Sequence, residues 1–178
     1  MQPTIYTLNG SYFNFLDVEK NVISISTIAR ALSNLCRFNG QIEQFYSVAQ
    51  HSVLCSYLVP EDLAMQALFH DAAEAYIGDV TKPLKFLLPD YKEIEQRVEF
   101  DIFKKLGLEW PLHPLVKEAD LIMLATERRD LFNPDNAAGE WSILKNVEAS
   151  IHIHITPVFP NDAYLSFISR YWELKGAN

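Results

Sequence analysis

The sequence predicts a mainly α-helical fold, a helical bundle carrying a small N-terminal β-hairpin, and three observations predict it. Apolar residues recur at three- and four-residue spacing through most of the chain, and the runs are bracketed by capping side chains, prolines or glycines. The start instead holds two short β-prone runs separated by Asn9-Gly10. No internal repeat, low-complexity tract or linker interrupts the 178 residues, so 1–178 reads as a single domain.

The hairpin places Ile5, Thr7 and Leu8 before the turn and Tyr12, Phe13 and Phe15 after it, since Asn and Gly both tolerate positive φ. Ser24 or Ser26 caps a first helix through Ile28, Ala29, Leu32, Leu35 and Cys36, and Gly40 offers its left-handed stop. Ser47 caps a second through Val48, His51, Cys55, Leu58 and Val59, closed by Pro60. A third, unbroken from Glu61 to Tyr76, sets Leu63, Ala64, Ala67, Leu68, Asp71 and Ala75 near one face. Gly78 to Pro83 breaks the pattern, because the residue before a proline avoids the helical region. Asp90 caps a helix through Ile94, Val98, Ile102, Phe103 and Leu106, with Gly107 as its stop. Pro114 opens another that runs to about Leu131. Asn133 to Glu140 reads as a polar loop and Ser150 to Thr156 as a short strand or extended segment. Asn161 caps a last amphipathic helix through Tyr164, Leu165, Phe167, Ile168, Tyr171 and Leu174.

Composition narrows the functional classes. Hydrophobic residues make up 49% of the chain and charged residues 21%, enough to bury a sizeable core. A formal charge of -8 argues against a broad duplex nucleic-acid surface, which needs clustered Lys and Arg. A small anionic substrate stays open, because a metal and one or two cations suffice locally. Met1 to Ser11 shows no secretory pattern and no stretch approaches the length of a membrane helix, so a cytoplasmic location is expected. Cys36 and Cys55, both in apolar helix-like segments, read as buried free thiols.

The chemistry centres on adjacent His70-Asp71 late in an apolar helix, with His51 on the preceding helix and Asp120 on a downstream one. Divalent metals need imidazole nitrogens and carboxylate oxygens converging from several directions. Asp120 continues the apolar face of Lys117-Glu118-Ala119-Asp120-Leu121-Ile122, and a metal would remove the cost of burying it. Glu74 shares a helix face with His70 and Asp71.

This ordered set resembles the H…HD…D signature of the HD-domain phosphohydrolases, an all-helical metal-binding superfamily, and is most similar to its small nucleotidase branch. The matching stretches are Arg37-Phe38, Tyr46 to Ser52, His70 to Ala75, Gly78 to Lys85 and Ala119-Asp120, so the resemblance covers residues 37 to 120. It implies one divalent transition metal (cobalt, manganese, zinc, nickel or iron) held by His51, His70, Asp71 and Asp120. It implies that Glu74 handles protons near a water activated by the metal, and that Arg37 grips phosphate oxygens. Phe38 is then a candidate to stack on a base, though core packing is the commoner fate of such a ring. Asp79 is a candidate to accept from a sugar hydroxyl and Lys82 to neutralise a phosphate, with loop capping and solvation as alternatives.

The implied activity is hydrolysis of a phosphate ester or anhydride of a nucleotide, with a deoxynucleotide favoured by the resemblance alone. Two rivals keep the same ligands: hydrolysis of cyclic or signalling nucleotides, and a silent metal-stabilised binding protein. Relatives of this kind commonly assemble, so a homo-oligomer is expected. Glu127, Arg128 and Arg129 read as a charged helix segment that is solvated or salt-bridged, and His152 and His154 as residues of a surface strand.

Overall fold

The computed structural model describes residues 2–132, 139 and 141–176. Among these, the helical periodicity and the Asn-Gly signal both appear in place. The elements are β1 (Thr4–Tyr6), β2 (Tyr12–Asn14), α1 (Ile25–Asn34), α2 (Val48–Cys55), α3 (Glu61–Leu68), α4 (Glu74–Ile77), α5 (Lys82–Lys85), α6 (Pro89–Leu106), α7 (Pro114–Leu131) and α8 (Pro160–Gly176).

β1 and β2 pair antiparallel, Thr4 against Asn14, Ile5 against Phe13 and Tyr6 against Tyr12. Gly10 takes the positive φ of 81° that the turn needs. Phe13 turns inward and stacks on Tyr76 of α4 at 4.0 Å, which ties the hairpin to the bundle. Ser24 and Ser47 accept from the amides of Thr27 and Gln50, so both act as N-caps. α8 packs on α1, α2 and α3, while α7 packs on α2 and α3. α2 therefore lies inside the bundle, and Val48, Ala49, His51, Ser52, Val53 and Cys55 are all buried. A helix covered on this many sides has little solvent face to spend on charged groups.

Several boundaries differ from expectation, each for a local reason. α1 stops at Asn34; Leu35 is extended, and Cys36 bridges to Ser47, which leaves Cys36 half-buried while Cys55 is fully buried. α2 ends at Cys55, short of Leu58 and Val59. Lys82 and Pro83 do enter a helix, the single turn of α5, because a proline in the first turn lacks only an N–H that has no partner there. Asp90 and Asn161 sit inside the first turns of α6 and α8, which begin at Pro89 and Pro160, so neither is the cap.

The expected unbroken helix from Glu61 to Tyr76 divides. α3 ends at Leu68 and the chain proceeds through i→i+3 bonds, Ala72 to Phe69 and Glu74 to Asp71, before α4 begins. The Ala67 carbonyl, which an unbroken helix would offer to the Asp71 amide, instead receives Nδ1 of His70 at 2.7 Å. His70-Asp71 thus occupies a break in the helix.

Ser150 to Thr156 forms no strand. Arg129 donates to the carbonyls of Ser150 and Ile153, each at 2.7 Å, and Asp130 accepts from the Ile155 amide at 2.8 Å. The polar loop expected at Asn133 to Glu140 lies outside the described residues except for Gly139. Among the described residues no helix is long and apolar enough to cross a membrane.

Candidate metal centre

Three segments bring the four ligand candidates to one point: α2 supplies His51, the break after α3 supplies His70 and Asp71, and α7 supplies Asp120. His51 Nε2 lies 3.3 Å from His70 Nε2, 3.3 Å from Asp120 Oδ1 and 3.7 Å from Asp71 Oδ2. His70 Nε2 lies 3.2 Å from Asp71 Oδ2 and 3.9 Å from Asp120 Oδ1. Nitrogen and oxygen ligands about 2.0–2.2 Å from a common ion sit roughly 3–3.5 Å from one another; three of these separations fall in that range, and those of 3.7 and 3.9 Å lie just beyond it.

The tautomers sharpen that fit. The Ala67 carbonyl can only accept, so His70 carries its proton on Nδ1. The Glu127 carboxylate, 2.6 Å from His51 Nδ1, likewise assigns that proton to Nδ1. In the neutral imidazoles both Nε2 atoms are then acceptors, facing each other and two carboxylates. Four acceptors converge, with the Cys55 thiol 3.4 Å from His51 Nε2 and Arg37 NH1 3.6 Å from Asp71 Oδ2 as neighbouring donors, and a positive charge among them, from protons or a metal, relieves their repulsion.

The protons of the metal-free site follow this logic. Burial opposes a charged His70, but the Asp71 carboxylate outweighs it and lifts His70 from 6.5 to about 9. Burial and Arg37 oppose charge on His51, while Cys55, Glu127 and Asp120 hold its pKa above the usual value. Asp71 and Asp120, against the opposing effect of burial, are held low by the same imidazoles. A raised histidine adds stability that is complete below pH 6.5 and is lost as pH rises through about 9. Counting the His70–Asp71 contact once, that contribution is on the order of 3 kcal/mol. Metal-free protein in chelator is therefore expected to lose thermal stability between pH 6.5 and 9, followed by circular dichroism. A melting temperature that stays flat or rises across that range would contradict the charged pair.

Around the centre, Glu74 is buried, with Oε1 3.5 Å from Lys85 Nζ and Oε2 without a hydrogen-bond partner among the described residues. Burial and then Asp71 raise its pKa well above the carboxylate range, against the pull of Lys85. Arg37 is buried too, its NH2 3.0 Å from Glu127 and its NH1 3.6 Å from Asp71, while its Nε is unpartnered among the described residues. Phe38, half-buried, follows with a left-handed φ of 56° and packs edge-on against Phe132 at 5.0 Å. That conformation costs a bulky residue on the order of 1–3 kcal/mol. Lys82 reaches the second oxygen of Asp120 at 3.2 Å from an exposed position. Asp79 is half-buried in the loop after α4, and burial raises its pKa.

Two residues of the centre carry no site role in the sequence reading. Cys55 Sγ is 3.4 Å from His51 Nε2, and Cys55, His51 and His70 each offer a ligand atom within 4.8 Å of the others. Its position four residues after His51, on the same helical face, was a usable signal. Glu127 was read as part of a charged, solvated or paired segment, yet it has 0% exposure and is paired on both oxygens. Its place seven residues after Asp120, two turns along α7, was the available clue.

No family model matches the chain. The uncharacterized protein YfdR of Escherichia coli is 47% identical over 171 residues, covering 96% of this chain and 95% of its own. An uncharacterized protein of Rhodobacter capsulatus is 30% identical over 138 residues, 70% of each chain. A 5′-deoxynucleotidase of Pasteurella multocida is 31% identical over 67 residues, 35% of this chain and 34% of its own.

Proposed function

The chain belongs to the family of the Escherichia coli protein YfdR, and from that premise we propose that it is a single-domain, metal-dependent nucleotide phosphohydrolase of the HD superfamily. The convergence of His51, His70, Asp71 and Asp120, all presenting acceptors, carries this reading. The partial similarity to a 5′-deoxynucleotidase supports hydrolysis, and it makes a deoxynucleoside monophosphate the first substrate to try.

When bound there, a divalent ion supplies Lewis acidity toward a phosphoryl oxygen and lowers the pKa of water. The chain's own residues do the rest. His51, His70, Asp71 and Asp120 hold the ion, with Cys55 beside them as an additional soft donor. Arg37 addresses phosphate oxygens with its guanidinium, which Glu127 restrains through NH2 and whose Nε has no partner among the described residues. Glu74 takes the proton of the attacking water as the new P–O bond forms, and returns it to the oxygen leaving phosphorus. We assign that exchange to its buried Oε2, which has no hydrogen-bond partner among the described residues. Asp79 and Lys82, in and just after the loop that follows α4, address the sugar and phosphate, and Phe38 offers a ring to the base.

The test is phosphate or polyphosphate release from deoxy- and ribonucleotide mono-, di- and triphosphates with cobalt, manganese and zinc. Turnover of one class sets the substrate. Stoichiometric metal without any turnover would favour a silent metal-stabilised protein, and turnover of cyclic nucleotides alone would change the substrate.

A further inference from the structure

The geometry points to Glu127 as a positioning residue that serves both halves of the centre at once. Oε1 lies 2.6 Å from Nδ1 of His51, and Oε2 lies 3.0 Å from NH2 of Arg37. This inference rests on the metal-dependent reading above and adds to it a device linking metal retention to phosphate binding.

The contacts close a ring. Asp71 lies 3.6 Å from Arg37, Arg37 pairs with Glu127, Glu127 pairs with His51, and His51 Nε2 returns to within 3.7 Å of Asp71. Stability alone gives little reason for an acid here. Glu127 has 0% exposure and its buried neighbours on α7 include Met123 and Ala125, so an apolar side chain would suit the packing. Removing a carboxylate from water costs several kcal/mol, and replacing a buried ion pair by packed apolar groups is often neutral or stabilising. What the acid supplies is direction. By accepting from Nδ1 it fixes the His51 ring and leaves Nε2 as the acceptor facing His70 and Asp120. By holding NH2 of Arg37 it sets the plane of the guanidinium. With no solvent-accessible surface it acts through these two residues and not on substrate.

Because both partners share one carboxylate, metal loading and phosphate binding are coupled, each favouring the other by the same factor. Metal-stripped wild type, Glu127→Gln and Glu127→Ala should be titrated with cobalt against a chromophoric chelator, after circular dichroism confirms folding. Glu127→Ala is expected to bind cobalt about 10–100-fold more weakly. The Gln amide oxygen still accepts from His51 while its NH2 faces the Arg37 donor. Glu127→Gln should therefore lose less cobalt affinity than Ala, but inorganic phosphate should inhibit the loaded variant about tenfold less tightly. Wild type that takes up no cobalt would overturn the metal reading and this inference together. Wild type that takes it up, with a folded Ala variant of equal affinity, would overturn this inference alone. If Ala fails to fold, Gln decides: unchanged phosphate inhibition overturns it.

Discussion

Asp71→Ala is expected to abolish metal uptake and turnover together. Asp71 Oδ2 approaches both imidazoles, at 3.2 Å from His70 and 3.7 Å from His51, and also faces Arg37 at 3.6 Å. Removing it takes one of two anionic ligand candidates from a buried site and leaves Arg37 with Glu127 as its one remaining ion-pair partner among the described residues. A buried charge left partly uncompensated costs several kcal/mol, and a metal site stripped of a carboxylate loses charge neutralisation as well as a bond. Metal content by elemental analysis and phosphate release on the same preparation check this. A folded variant with full metal content would place the ion with His51, Cys55 and His70, the cluster that does not need Asp71. A Cys55→Ser variant would then separate the two donor sets, since that change removes the thiol while sparing both aspartates.

The legible parts of this protein are those whose signals are local. The Asn9-Gly10 turn, the Ser47 cap and the Gly107 stop are each written in one to four residues, and the hairpin, α2 and α6 stand where those signals put them. The bundle was legible for the same reason, because an apolar period needs no knowledge of the partner it will meet. The break at His70-Asp71 was not. It depends on a side chain of one turn displacing a backbone donor from the Ala67 carbonyl, which no propensity scale expresses. Of the centre, His51, His70, Asp71 and Asp120 stand out in the sequence by their order, and the structure brings their side chains close to one another. Glu127 escaped because its neighbours Arg128 and Arg129 make the stretch look like a solvent face, although α7 turns Glu127 inward and Arg129 outward. For Ser150 to Thr156 the alternation left a strand or an extended segment open, and no strand forms: Arg129 and Asp130 hold its backbone instead.

Glu74→Ala is expected to leave the metal in place and to slow the chemical step by about 10²–10⁴-fold, the usual yield of a positioned acid–base group. The separation from Asp71 follows from geometry. Glu74 makes no contact with either imidazole nitrogen of the centre; its oxygens are accounted for by Lys85 at 3.5 Å and by an atom with no partner among the described residues. A buried acceptor without a partner costs about 1–3 kcal/mol, so folding alone would not preserve it, whereas proton transfer requires such an atom. Burial also lifts the Glu74 pKa well above the ordinary carboxylate range. Lys85, whose charge opposes that lift, tunes the same group, so Lys85→Met should move the acid limb of the rate profile to higher pH. Single-turnover rates, with metal content measured in parallel, distinguish the outcomes. Loss of metal along with rate would recast Glu74 as part of the ligand shell, and full activity in the Ala variant would remove it from the chemistry.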